Sequence, residues 1–129
     1  MIFHTLLSDL CRSMSLPQSY IHKDGLDIST DAFDLHIRQK DNLVTLFIPL
    51  NNVLRYSITD MADWPALQLS QCDEQTMLLW SREWLDKLDV EILVDLSIRM
   101  FRQAAAITDQ GSGTEYASHE MFYPASALR

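Results

Sequence analysis

Phe3, Leu6, Leu7, Leu10, Cys11 and Met14 recur at the i, i+3, i+4, i+7 spacing of a helix, with Ser8, Asp9, Arg12 and Ser13 on the opposite side. Pro17 closes this first helix, because the residue before a proline is pushed out of the helical region. Lys23-Asp24-Gly25 is a turn signal, and Leu26-Asp27-Ile28-Ser29 after it alternates apolar and polar, as a half-buried strand does. Thr30-Asp31 turns the chain into a second strand. There Phe33, Leu35 and Ile37 share one face, and Asp34, His36 and Arg38 share the other. Lys40-Asp41-Asn42 is the next turn. Leu43 to Ile48 is more continuously apolar, which predicts a strand buried on both faces, with Pro49 ending it or sitting at its edge. Strands at this spacing predict an antiparallel meander.

Val53, Leu54, Ile58 and Met61 keep helical spacing, and the expectation is a short helix over 51–62, closed by Trp64-Pro65 and weakened by β-branched Ile58 and Thr59. Ala66 to Ser70 alternates again, Gln71 to Gln75 is a polar turn, and Thr76 to Glu83 reads as a strand, so a second hairpin follows. Asp89 stands at the N-cap of a long helix over 90–107, whose apolar residues cover more than one side. The segment 110–129 opens on Gln110-Gly111-Ser112-Gly113, and Met121, Phe122, Tyr123 and Leu128 are its large apolar residues. It is expected to be a flexible tail or a strap that docks by those side chains. The fold class expected is therefore α+β. One domain over 1–109 holds an antiparallel sheet, a three-strand meander plus a second hairpin, flanked by N-terminal and C-terminal helices.

With 129 residues, 47% apolar and 22% charged, the chain has globular composition. Its formal net charge of −8, with the basic residues scattered, argues against nucleic acid and against anionic membrane surfaces as partners. The apolar start has no basic residue ahead of it and is interrupted by Asp9 and Arg12, so neither a signal peptide nor a membrane span is expected. Cys11 and Cys72 make no disulfide framework, and Cys11 falls on the apolar helical face as a small core residue. His4, His22, His36 and His119 show no metal-ligand spacing. No nucleophile motif is present, and three glycines cannot build a phosphate loop, so no catalytic residue, metal or other cofactor is expected. The apolar positions exceed what one small core needs, which points to a dimer and to a surface that receives an apolar protein partner.

The phrase Leu6-Leu7-Ser8-Asp9-Leu10-Cys11-Arg12-Ser13-Met14-Ser15-Leu16-Pro17 resembles the opening helix of the small acidic class I chaperones of bacterial type III secretion, the group that includes the Tir chaperone. That helix typically ends in a Gly-Leu-Pro-like phrase, whose place Met14-Ser15-Leu16-Pro17 takes here. Asp24-Gly25 with Leu26 to Ile28, then Phe33 to Ile37 and Leu43 to Leu50, are similar to the family's first three strands. Ala66 to Leu69, Met77 to Glu83 and Asp89 to Ala106 are similar to its last hairpin and helix. The resemblance covers roughly residues 3–107 and rests on a pattern of size, acidity and element order. It implies a bacterial cytoplasmic virulence chaperone, not an enzyme, that binds the N-terminal non-globular segment of a secreted effector and keeps it soluble and ready for export without nucleotide hydrolysis. Leu6, Leu10, Leu26, Ile28, Phe33, Leu35 and Ile37 are its candidate effector-groove residues, and Val53, Leu54, Ile58, Met61 and Trp64 its candidate dimer contacts. The family's second helix is longer than 51–65 allows, which leaves a heterodimer with a related chaperone open beside the homodimer. An α+β adaptor or regulatory subunit unrelated to secretion is the alternative.

Overall fold

A computed structural model of the chain describes residues 2–51, 68–71 and 76–108. The first helix, α1 (Ile2–Ser13), buries Phe3, Leu6, Leu7, Leu10 and Cys11, which is the apolar stripe read from the sequence. It ends on Ser15, whose φ of 58° is left-handed. Leu16 N–H donates to Cys11 O (2.8 Å) and Ser15 N–H to Arg12 O (3.3 Å), the paired bonds of a Schellman cap. Ser15 thus occupies a position that favours glycine.

A single turn of 3-10 helix (Gln18–Tyr20) leads into β1 (Ile21–His22), a two-residue strand absent from the sequence expectation. Two residues carry no legible alternation, so pairing alone defines it. β2 (Gly25–Ser29), β3 (Asp34–Lys40) and β4 (Leu43–Leu50) form the expected meander. Gly25 is obligatory: its φ is +146°, and a Cβ there would lie 1.9 Å from Ile37 O. The β2–β3 turn is closed by Thr30 N–H donating to Phe33 O (2.8 Å), while Thr30 Oγ1 accepts from Phe33 N–H (3.0 Å).

β5 (Gln68–Gln71) and β6 (Met77–Trp84) are the second hairpin. Among the described residues the strands join one antiparallel sheet in the order β1-β2-β3-β4-β6-β5. The hairpin therefore enters by its second strand, which pairs with β4 along the whole of β4, from Leu43↔Trp84 to Leu50↔Met77. Pro49 lies inside β4 and does not end it. Leu85 N–H donating to Asn42 O (2.7 Å) sets the phase of this ladder, so even-numbered residues of β4 bond to β6 and odd-numbered ones face β3. The β3–β4 ladder stops at His36↔Phe47, so the amide proton that Pro49 lacks has no strand to bond.

α2 (Val90–Ile107) starts at Asp89, whose carboxylate accepts from Ile92 N–H at 2.8 Å. α1 and α2 pack on one another and on one face of the sheet. That face contributes Leu26, Ile28, Leu35, Ile37, Val44, Leu46, Ile48, Leu50 and Leu79 to a single core with Phe101, Met100 and the α1 stripe. Cys11 is fully buried there, and burial pushes its thiol pKa up. The other face of β4 was expected to be buried too. Leu43, Thr45 and Phe47 are instead half-buried and Pro49 is exposed. The expected helix over 51–62 and the 110–129 tail lie outside the described residues, as does Cys72.

Candidate protein-binding site

The period of two along each strand sends alternate side chains away from the helices, so the outward face has its own composition. At the meander end it is polar and cross-linked. Asp27 on β2 accepts from three donors: His36 Nδ1 (2.8 Å) and Arg38 Nη2 (2.8 Å) at one oxygen, and His22 Nε2 (2.9 Å) at the other. His22 can donate from Nε2 because its Nδ1 accepts from Asp24 N–H (3.2 Å). Burial alone would raise the Asp27 pKa, but the hydrogen bonds from His36, Arg38 and His22 and the charge of Arg38 outweigh it and hold the carboxyl at about 2. The knot ties β1, β2 and β3 together on the side away from the core. Among the described residues no set of three or more His, Cys, Asp or Glu side chains could hold a metal ion.

Toward β6 the outward face turns aromatic. Phe47 pairs across the ladder with Trp80, and its ring lies 5.0 Å from that of His36. The Arg82 guanidinium sits 5.1 Å from the Trp80 ring centre and donates to Thr45 Oγ1 (2.8 Å). Trp80 Nε1–H donates to Ser70 Oγ across the last hairpin (2.9 Å). Trp84 is 51% exposed.

All seven residues expected to contact an effector are brought together, but beneath the surface: Leu6, Leu10, Leu26, Ile28, Phe33, Leu35 and Ile37 are each at most 9% exposed and belong to the one core. The reason is geometric. Alternation reveals which strand face is apolar, yet cannot tell a face covered by a partner from one covered by the chain's own helices. The accessible apolar side chains at this end are Ile2 and Tyr20, with half-buried Met14 and Ile21 beside them. The 3-10 turn that carries Tyr20 contacts β2. β1 pairs with β2 only at Gly25 and Leu26, so from Asp27 to Ser29 the outer edge of β2 has no strand partner among the described residues. Short β1 was the missed element, and no signal in the sequence marks where it stops. Val53, Leu54, Ile58, Met61 and Trp64 lie outside the described residues.

No protein-family profile matches the chain. No curated protein matches it either. Solved structures do. The chain is similar to the Yersinia pestis type III secretion chaperone SycH, solved in complex with a stable fragment of YscM2, at 12% identity and a TM-score of 0.69, covering 82% of this chain and 99% of that one. It is similar to a chain of the ExoT–SpcS complex of Pseudomonas aeruginosa at 14% identity and a TM-score of 0.69, with 82% and 97% covered. A third likeness is to the HopA1–SchA chaperone–effector complex, at 14% identity and a TM-score of 0.66, with 82% and 92% covered. The architecture is thus the α+β fold of type III secretion chaperones. SycH is a type III secretion chaperone, and the HopA1–SchA structure is a chaperone–effector complex. Among the described residues no helix is long and apolar enough to cross a membrane.

Proposed function

We propose that this protein is a class I type III secretion chaperone. It binds the N-terminal non-globular segment of a secreted effector in the bacterial cytoplasm and keeps it soluble and export-competent, with no catalysis and no nucleotide hydrolysis. One observation carries the reading: a sheet with the chaperone fold whose β2 edge has no strand partner from Asp27 to Ser29 among the described residues, near exposed Tyr20 and half-buried Ile21. An extended segment adding there takes its main-chain bonds from β2 and its specificity from side chains reaching the rim between α1 and β1. Leu6, Leu10, Leu26, Ile28, Phe33, Leu35 and Ile37 support this groove from below and set its shape, with Leu6 and Phe33 nearest its surface. The net charge of −8 favours a basic client and keeps the complex soluble.

The protein acts as a dimer through Val53, Leu54, Ile58, Met61 and Trp64. A second copy is the simplest partner, and a related chaperone is the other. Size-exclusion chromatography with light scattering tests both parts, on the protein alone and co-expressed with N-terminal segments of secreted effectors. The expected species is about twice 14.9 kDa and carries one segment. A monomer that retains no segment would end this reading.

A further inference from the structure

We infer that the groove between β6 and α2 is a second docking site, for a basic stretch of the client that places an apolar side chain in it; this rests on the client-binding function proposed above. Among the described residues the groove is lined by Ser81 and Glu83 from the strand and by Leu88, Ile92, Asp95, Leu96 and Arg99 from the helix and its approach. Its volume of about 230 Å³ lies below the ~300–1,000 Å³ of small-molecule pockets and suits one side chain of a peptide. Ile92 is 45% exposed although it stands one turn into a helix that buries most of its large apolar residues.

The floor carries the second observation. Ser81 is fully buried, and its hydroxyl has no hydrogen-bond partner among the described residues. The other buried hydroxyls are satisfied within α2 and at its end: Ser97 Oγ donates to Leu93 O (2.8 Å) and Thr108 Oγ1 to Ala104 O (2.9 Å). A strand offers no carbonyl four residues back for such a bond, so Ser81 holds an unspent hydroxyl at the floor of the groove among the described residues.

Charge selects the occupant. Residues 83–99 carry five carboxylates (Glu83, Asp86, Asp89, Glu91, Asp95) against Lys87 and Arg99, and Arg99 Nε is engaged with Asp95 at 3.0 Å. The chain's own 109–129 segment has the wrong sign for such a surface, with Asp109, Glu115 and Glu120 against Arg129. A second copy docking by this same acidic face would bring like charges together.

The probe is a fluorescein-labelled peptide in which Leu and Tyr alternate with Arg, followed by anisotropy against the full chain, with Glu in place of Arg as control. The Arg peptide should bind and the Glu peptide should not. Ile92→Gln should weaken binding about tenfold. Ser81→Ala should weaken it roughly fivefold while the thermal midpoint stays or rises, because the unpaired hydroxyl is gone; a merely structural serine would move stability and leave binding alone. Asp34→Asn, a charge change remote from the groove, should leave affinity unchanged. Wild-type affinity in Ile92→Gln, or equal binding of the two peptides, would overturn the inference. So would binding that appears only after removal of 110–129, which would assign the groove to the tail, or a dimer that Ile92→Gln splits without the peptide binding, which would assign it to a second copy. A groove that binds the Arg peptide in a protein retaining no effector segment would sink the proposed function alone.

Discussion

The two ends of the sheet treat their outward side chains differently. At β1–β2–β3 the outward face is stitched by the Asp27 carboxylate and its donors on β1 and β3. At β4–β6–β5 it is a row of aromatic side chains held by cation–π and indole contacts, with Trp84 half in solvent. Below both ends runs the same aliphatic core. Polar cross-links can hold a short edge strand that buries little, whereas long strands in a full ladder need no such links and can leave large side chains available to a partner.

The largest way to break this contrast is from the shared core. Leu35→Asp places a carboxylate among fully buried residues and should cost more than about 4 kcal/mol, unfolding both ends together. Circular dichroism that retains the native spectrum at wild-type midpoint would remove Leu35 from the core. Gly25→Ala acts on one end only. Its Cβ would collide with Ile37 O, and a loss of about 3 kcal/mol, with faster hydrogen exchange confined to β1 and β2, is expected. Exchange that quickens equally in β6 would show that the ends are not separable.

Asp27→Asn tests the knot by pH. The carboxyl stands at about 2 when folded against an ordinary 3.8, so the unfolded chain takes up the proton first. Its contribution is complete above about pH 4 and disappears as pH falls through 2. With the side chain 39% exposed, solvent and salt screening leave about 1 kcal/mol. The variant should match wild type at pH 2 and trail it at pH 6; a constant gap across that range would mean the stabilisation is not ionic. Asp89→Ala, at the other end, removes the α2 cap and should lower the thermal midpoint by the equivalent of about 1 kcal/mol. Ser15→Gly should gain about 0.5–1 kcal/mol by relieving the left-handed position after α1, seen as a small rise in thermal midpoint.

Elements longer than a few residues were legible because burial imposes a period. The α1 stripe, the alternation of Leu35 and Ile37 against His36 and Arg38, and the Asp89 cap each follow from local geometry, and the structure keeps them. β1 was not legible, because two residues have no period, and the reach of β4 through Pro49 depended on where its pairing with β3 ends, at His36↔Phe47. The candidate groove was legible as a set but not as a surface. Leu26, Ile28, Leu35 and Ile37 do share one face, and the chain's own helices occupy it.

By itself the sequence determined the α+β class, the meander, the helical ends and the acidity, since each depends on residues near one another or on a sum over the chain. The tertiary structure alone decided that β6 rather than β5 lies against β4, that Asp27 gathers donors from both neighbouring strands, and that Ser81 is buried without a partner among the described residues. These are contacts between residues far apart in the chain. No local periodicity encodes them, because which strand becomes the neighbour is set by how the whole apolar surface closes.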